Sequence, residues 1–162
     1  MPSERIWAPD RMRYVKHADD NEECIFCTKP AAGDDEAALI AHRGEHCFAM
    51  LNLYPYTNGH VMVAPFEHCA RLQDLTGETM AEMMDLVQRA MRAIEACYTP
   101  KGFNVGINQG RAAGAGVEHH IHMHVVPRWD GDTNFMPVIA DAKVMPQSLE
   151  DSYAILKEAL DA

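Results

Sequence analysis

The sequence predicts an α+β domain on three observations: short apolar segments bounded by turn residues, one long segment of helical periodicity among them, and a capped helix near the end. Strands are expected over 38–41 and 47–53, and Pro55, Tyr56, Thr57, Asn58 and Gly59 supply turn chemistry before a third strand over 60–65. Together they make a small meander. Met80, Met83, Met84, Val87, Met91, Ile94 and Tyr98 recur at steps of three and four, which places one apolar face on a helix over 76–97. Thr76 is its expected N-cap, and Pro100 with Gly102 ends it. The methionines of this stripe are read as core, where soft unbranched side chains fill gaps. Two further strands, over 102–108 and 119–127, are separated by a Gly/Ala segment over 110–116. The last helix starts at Ser148, which has capping-box spacing to Asp151, and turns Leu149, Ile155 or Leu156, and Leu160 inward.

A chain of 162 residues, 48% of them hydrophobic, can bury the core of one domain, and nothing in it resembles a linker between two. Its 14 Lys and Arg against 24 Asp and Glu give a formal charge of -10, with no basic run, so a nucleic-acid polymer or an anionic membrane is excluded as partner. A small anion held by a local site is not. The first fifteen residues interleave Arg5, Arg11 and Arg13 with Trp7 and Pro9, unlike a signal peptide, and no segment has the length of a membrane span. The expected location is cytoplasmic. Five cysteines, at 24, 27, 47, 69 and 97, make no disulfide framework in a chain this long.

His120, His122 and His124 alternate with Ile121, Met123 and Val125. In a strand such alternation sends three imidazoles to one face and three apolar side chains to the other. Three imidazoles on one face can bind a metal ion, or one of them can attack phosphorus while its neighbours fix its tautomer and stabilise charge on the phosphate. Asn108, Gln109 and Gly110, then Gly114, Ala115 and Gly116, place side-chain amides and accessible backbone N–H groups just upstream. That favours phosphate. Cys24 and Cys27 add two thiols at zinc-ligand spacing, which do not complete a tetrahedral site by themselves.

His120-Ile-His122-Met-His124-Val-Val resembles the signature of the histidine triad (HIT) superfamily of nucleotide hydrolases and transferases. Asn52, the string from Asn58 through Gly59 and His60 to Pro65, the long helix, and Asn108-Gln109-Gly110 follow in the family's order, so the resemblance covers residues 24–128 as a core. Residues 1–23 form an N-terminal arm and 129–162 a C-terminal extension of the same domain. The strings over 5–12, 110–116 and 126–137 are similar to the bacterial branch related to diadenosine tetraphosphate phosphorylases and fragile histidine triad enzymes.

The resemblance implies a five-stranded antiparallel sheet with one long helix and a C-terminal helix, the sheet being extended across a homodimer. It implies that His122 is the nucleophile that takes the nucleotidyl group, that His124 contacts an α-phosphate oxygen, that His120 orients its neighbours, and that His60 bonds within the triad. Asn52 matches a ribose-binding position and Asn108 one near the phosphate, while Ile25, Phe26 and Leu53 match apolar positions of a purine pocket. The substrate class is a diadenosine polyphosphate, and adenine is the expected base. Many relatives carry Ser or Thr three residues before the first triad histidine. Val117 stands there, so the backbone N–H of Gly116 is the remaining donor. Several bacterial members complete the Cys pair with a histidine and the first triad histidine, here His68 and His120, around a structural zinc. No catalytic cofactor is expected. The rival readings are a purine nucleoside phosphoramidase, a hydrolase with a catalytic metal on all three histidines, and a nucleotide sensor without turnover.

Overall fold

The computed structural model describes residues 23–133 and 145–162. Most of the expected N-terminal arm, and the last residues of the string over 126–137, lie outside them. Five strands form one antiparallel sheet: β1 (Ile40–Arg43), β2 (Cys47–Leu51), β3 (Val61–Pro65), β4 (Gly102–Ile107) and β5 (Met123–Arg128), in the order β1-β2-β3-β5-β4. Among the described residues four helices accompany it: α1 (Ile25–Ala31), α2 (Asp35–Ala38), α3 (Gly77–Tyr98) and α4 (Leu149–Asp161). The α+β class and the five-stranded sheet expected from the sequence are present.

The period of two divides the sheet into two faces. Cys47, Ala49 and Leu51 of β2, Val61 and Val63 of β3, and Val125 of β5 join Met83, Leu86, Val87, Ala90, Ala93 and Ile94 of α3 and Leu156 and Leu160 of α4 in one core. Phe48 and Met50 of β2 and Met62 and Ala64 of β3 face the opposite way, against Phe26, Ala38 and Ile40. All residues of β2 and β3 are buried. Glu82 ties α3 to the β1–β2 turn by accepting from the backbone N–H groups of His46 and Cys47.

Several expectations shift in detail. The N-cap of α3 is Thr76, whose hydroxyl accepts from Thr79 N at 3.1 Å, but the buried seam runs through Leu86, Ala90 and Ala93. Met80 and Met84 lie on its flank, 38% and 44% exposed, so they are not core. The small alanines let the helix approach the sheet, and the apolar stripe rotates toward them. Residue 38 belongs to a helical turn rather than to β1, because Asp34 caps α2 by accepting from Ala37 N. Leu39, at φ 60°, makes the break into the strand. At the C-terminus Ser148 caps α4 as expected, accepting from Asp151 N, and Leu156 rather than Ile155 is buried.

Strand β5 begins at Met123, four residues later than the expected start at 119. The pairing Val63↔Met123 would place Pro65 opposite Ile121, and a proline has no N–H for the ladder. Ile121 N donates to Cys69 O instead, at 2.6 Å. His120 and His122 therefore precede the paired strand, held by side-chain bonds.

Candidate active site

His122 and His124 lie on the sheet face opposite α3 and α4, with Phe26 of α1 packed against His122 and His120. The Phe26 ring centroid is 4.6 Å from that of His122 and 5.3 Å from that of His120. His60, His120 and His122 are all nearly fully buried, and among the described residues no buried side-chain nitrogen or oxygen lacks a hydrogen-bond partner.

The hydrogen bonds fix the protons. His122 Nδ1–H donates to the carbonyl of His120 at 2.9 Å, which leaves Nε2 as the nitrogen carrying the lone pair. The His60 ring is set by the turn before β3: the backbone N–H of Tyr56 donates to His60 Nδ1 at 3.1 Å, and Asn52 Nδ2 faces the same nitrogen at 3.4 Å. The proton of neutral His60 is then on Nε2, which donates to His124 Nδ1 at 2.9 Å. That bond in turn places the proton of His124 on Nε2. A backbone amide thus dictates, through two rings, that His124 presents a donor, while the His120 carbonyl dictates that His122 presents a lone pair. Tyr56 braces the relay, its ring 4.7 Å from His60.

A cleft opens beside these rings, lined among others by Ile25, Phe26, Met50, Asn52, Leu53, Gly116, Val117, His122 and His124. Seven of the residues given site roles from the sequence meet there, together with Val117. Asn52 holds its local turn by accepting from Tyr54 N at 2.9 Å. His60 stands behind His124, and Asn108, at the end of β4, is not among the described residues lining the cleft. Val117 forms part of the wall where relatives place a hydroxyl, and a 3-10 turn at Arg111–Ala113, ended by Gly114 at φ 86°, shapes the approach to it. Sequence reasoning passed over Lys29, Met50, Tyr54, Tyr56 and Met62. For Lys29 the signal was present: it follows Ile25 by four residues and Phe26 by three on one helix, the spacing of a shared face.

A second cluster adjoins the first. The ligand atoms of Cys24, Cys27, His68 and His120 all lie within 4.8 Å of one another. His120 Nδ1 is 3.3 Å from Cys24 Sγ and 3.6 Å from Cys27 Sγ, and His68 Nδ1 is 3.3 Å from Cys27 Sγ. The opposite nitrogen of His120, Nε2, donates to Pro65 O at 2.9 Å, so Nδ1 carries the lone pair and points at the thiols. Burial holds the His120 imidazole down to about 4, and it is neutral, as a ligand must be. Burial, with Cys24 adjacent, pushes the Cys27 thiol up to about 11. Two sulfurs and two ring nitrogens at this spacing, with a carbonyl behind one ring, suit a tetrahedral zinc ion.

Comparison with known proteins agrees with this geometry. A HIT domain model matches residues 35–131. The chain is 42% identical over 160 residues to the AP-4-A phosphorylase of Mycobacterium tuberculosis, covering 94% of this chain and 82% of that protein. It is 35% identical over 105 residues to the adenosine 5'-monophosphoramidase of Schizosaccharomyces pombe, covering 65% of this chain and 74% of that one. Among solved structures, a Zn-bound histidine triad family protein from Mycobacterium smegmatis superposes with a TM-score of 0.69 at 31% identity, covering 86% of this chain and 94% of its own. The family match and the M. tuberculosis relative make the chain a nucleotide hydrolase or transferase. The chain belongs to the HIT family.

Proposed function

We propose that the chain cleaves diadenosine polyphosphates at an α-phosphorus, with His122 as nucleophile and inorganic phosphate as acceptor. The carrying observation is the bond from His122 Nδ1–H to the His120 carbonyl, which aims a lone pair on Nε2 beside an apolar cleft. Nε2 attacks the α-phosphorus, and the bond from phosphorus to the bridging oxygen breaks. For diadenosine tetraphosphate the leaving group is ATP, and AMP remains on His122 as a phosphoramidate. Nδ1–H, held by a carbonyl, stabilises the positive charge on the ring, and His124 Nε2–H supplies a donor to a phosphate oxygen. An oxygen of inorganic phosphate then attacks the same phosphorus, the P–N bond breaks, and ADP leaves. Asn52 is placed for ribose, Ile25, Phe26 and Leu53 for the base, and Gly116 for a phosphate oxygen. Phosphate as acceptor is supported by the relative named a phosphorylase.

Chromatography of the products from diadenosine tetraphosphate tests this reading. ADP and ATP formed only in the presence of phosphate are expected. AMP and ATP in both conditions would make water the acceptor. Binding without products would leave a sensor. The phosphoramidase reading draws on the S. pombe relative, and it requires faster cleavage of adenosine 5'-phosphoramidate than of the tetraphosphate at equal concentration.

The reading includes a zinc ion on Cys24, Cys27, His68 and His120, which when bound cross-links the start of α1 to the histidine segment. It also includes a homodimer through β4. This edge strand exposes Gly102, Asn104, Val105 and Gly106 and carries none of the charges or prolines that block edge pairing. A Val105→Lys chain running as a monomer in light scattering, where the parent runs as a dimer, is the expected outcome.

A further inference from the structure

Lys29 is the one formally charged side chain among the described residues that line the cleft. It is partly buried, and its other neighbours in that wall are mainly apolar. Among the described residues it has no hydrogen-bond or ion-pair partner, and burial lowers its pKa with no carboxylate opposing the shift. The ammonium itself still meets water, and a ligand in the cleft can supply the acceptor that the protein does not.

Its position along the cleft indicates which part of a ligand it meets. Helix α1 starts beside the triad, where Cys24 Sγ lies 3.3 Å from His120 Nδ1. It ends beside β1, where Arg43 Nη2 donates to Pro30 O at 2.8 Å. Strands β2 and β3 separate β1 from β5, so α1 crosses the sheet away from the histidines. Lys29 precedes Pro30, so within the cleft wall its backbone lies toward the β1 end of α1 and away from the helix start at the triad. A nucleotide whose α-phosphorus meets His122 extends its base to that end.

We propose that Lys29 is a specificity residue for the base: its ammonium donates a hydrogen bond to a ring-nitrogen acceptor on the edge of the purine. The inference rests on the reading of the cleft as a nucleotide site. The rival role is a solvated head on a stem that merely packs against apolar wall.

Calorimetric titration of adenosine and of AMP into the parent chain and into Lys29→Met separates these roles, because methionine keeps the apolar stem and removes the donor. Adenosine and AMP should both bind about tenfold more weakly to the variant, by the same factor, as expected for loss of a charged hydrogen bond. Weakening of AMP with adenosine unchanged would place the ammonium on phosphate and overturn the proposal. So would equal binding of both ligands to both chains. A parent that binds neither ligand would remove the nucleotide reading and this inference together, whereas a parent that binds and cleaves while Lys29→Met matches it would remove the inference alone.

Discussion

The two faces of the sheet are built from the same strands and do opposite things. On the face under α3 and α4, Ala49, Leu51, Val61, Val63 and Val125 meet Leu86, Val87 and Ile94 in one apolar cluster. On the other face, one residue along each strand, Met50 and Met62 sit beside buried imidazoles whose nitrogens are directed by carbonyls and amides. The first face has many sequence solutions of equal volume. The second has few, because a buried polar ring without its partner is destabilising by about 1–3 kcal/mol. Substitutions on the first face should change stability and leave chemistry alone, and those on the second should change chemistry.

The largest effect expected is on the second face. His122→Ala should retain nucleotide binding while turnover falls by about 10^4-fold or more, because the group removed makes the bond in the first step. Parallel binding and rate measurements check this, and residual turnover within tenfold of the parent would place the nucleophile elsewhere. On the first face, Leu86→Ala should lower stability by about 3 kcal/mol by loss of buried area and the cavity left behind. Its kcat/KM, measured well below the melting midpoint, should match the parent. A changed rate there would mean that the two faces are coupled through the strands.

His60 refines the contrast, since it acts only through His124. His60→Ala should lower kcat by about 10²-fold with KM little changed, as the His124 tautomer loses its control. His60→Gln, which can accept and donate at similar reach, should restore part of the loss, and no such rescue is expected from a merely structural position. The metal cluster lies between the two behaviours, because His120 offers its ring to the cysteines and its carbonyl to His122. Removing zinc with a chelator, followed by metal analysis and thermal denaturation, should lower the melting temperature and slow turnover by about 10- to 100-fold. Restoration by added zinc completes the test. Unchanged melting after complete metal loss would separate the cluster from the fold.

Much of the second face was legible in the sequence, because alternating imidazoles and paired thiols are scarce patterns whose spacing carries chemistry. The alternation at His120, His122 and His124 and the pair Cys24 and Cys27 could be read without knowing the pairing of the strands. What remained hidden was long-range or carried by the backbone. The end of the β3–β5 ladder depends on Pro65 coming opposite Ile121. The tautomer of His60 depends on an amide at Tyr56, and every residue but proline has that amide. Lys29 escaped notice because lysine on a helix is ordinarily solvated, although its spacing to Ile25 and Phe26 already put it on their face.

The smallest effect is the most exact probe of what periodicity can determine. Met83, Met84, Val87 and Met91 repeat at helical spacing, but the spacing alone does not say where the seam is centred, since an apolar stripe wider than the contact leaves a flank in water. The structure centres it on Leu86, Ala90 and Ala93 and leaves Met84 44% exposed. Met84→Gln keeps the side-chain length and the helix propensity, so stability should change by less than about 0.5 kcal/mol, against about 3 kcal/mol for Leu86 two residues away. A loss of 2 kcal/mol or more at Met84, read from denaturant midpoints at two protein concentrations, would show that this flank is covered. If the loss shrank on dilution, the cover would be a second copy of the chain, and the outer side of α3 would join the apolar face beneath it.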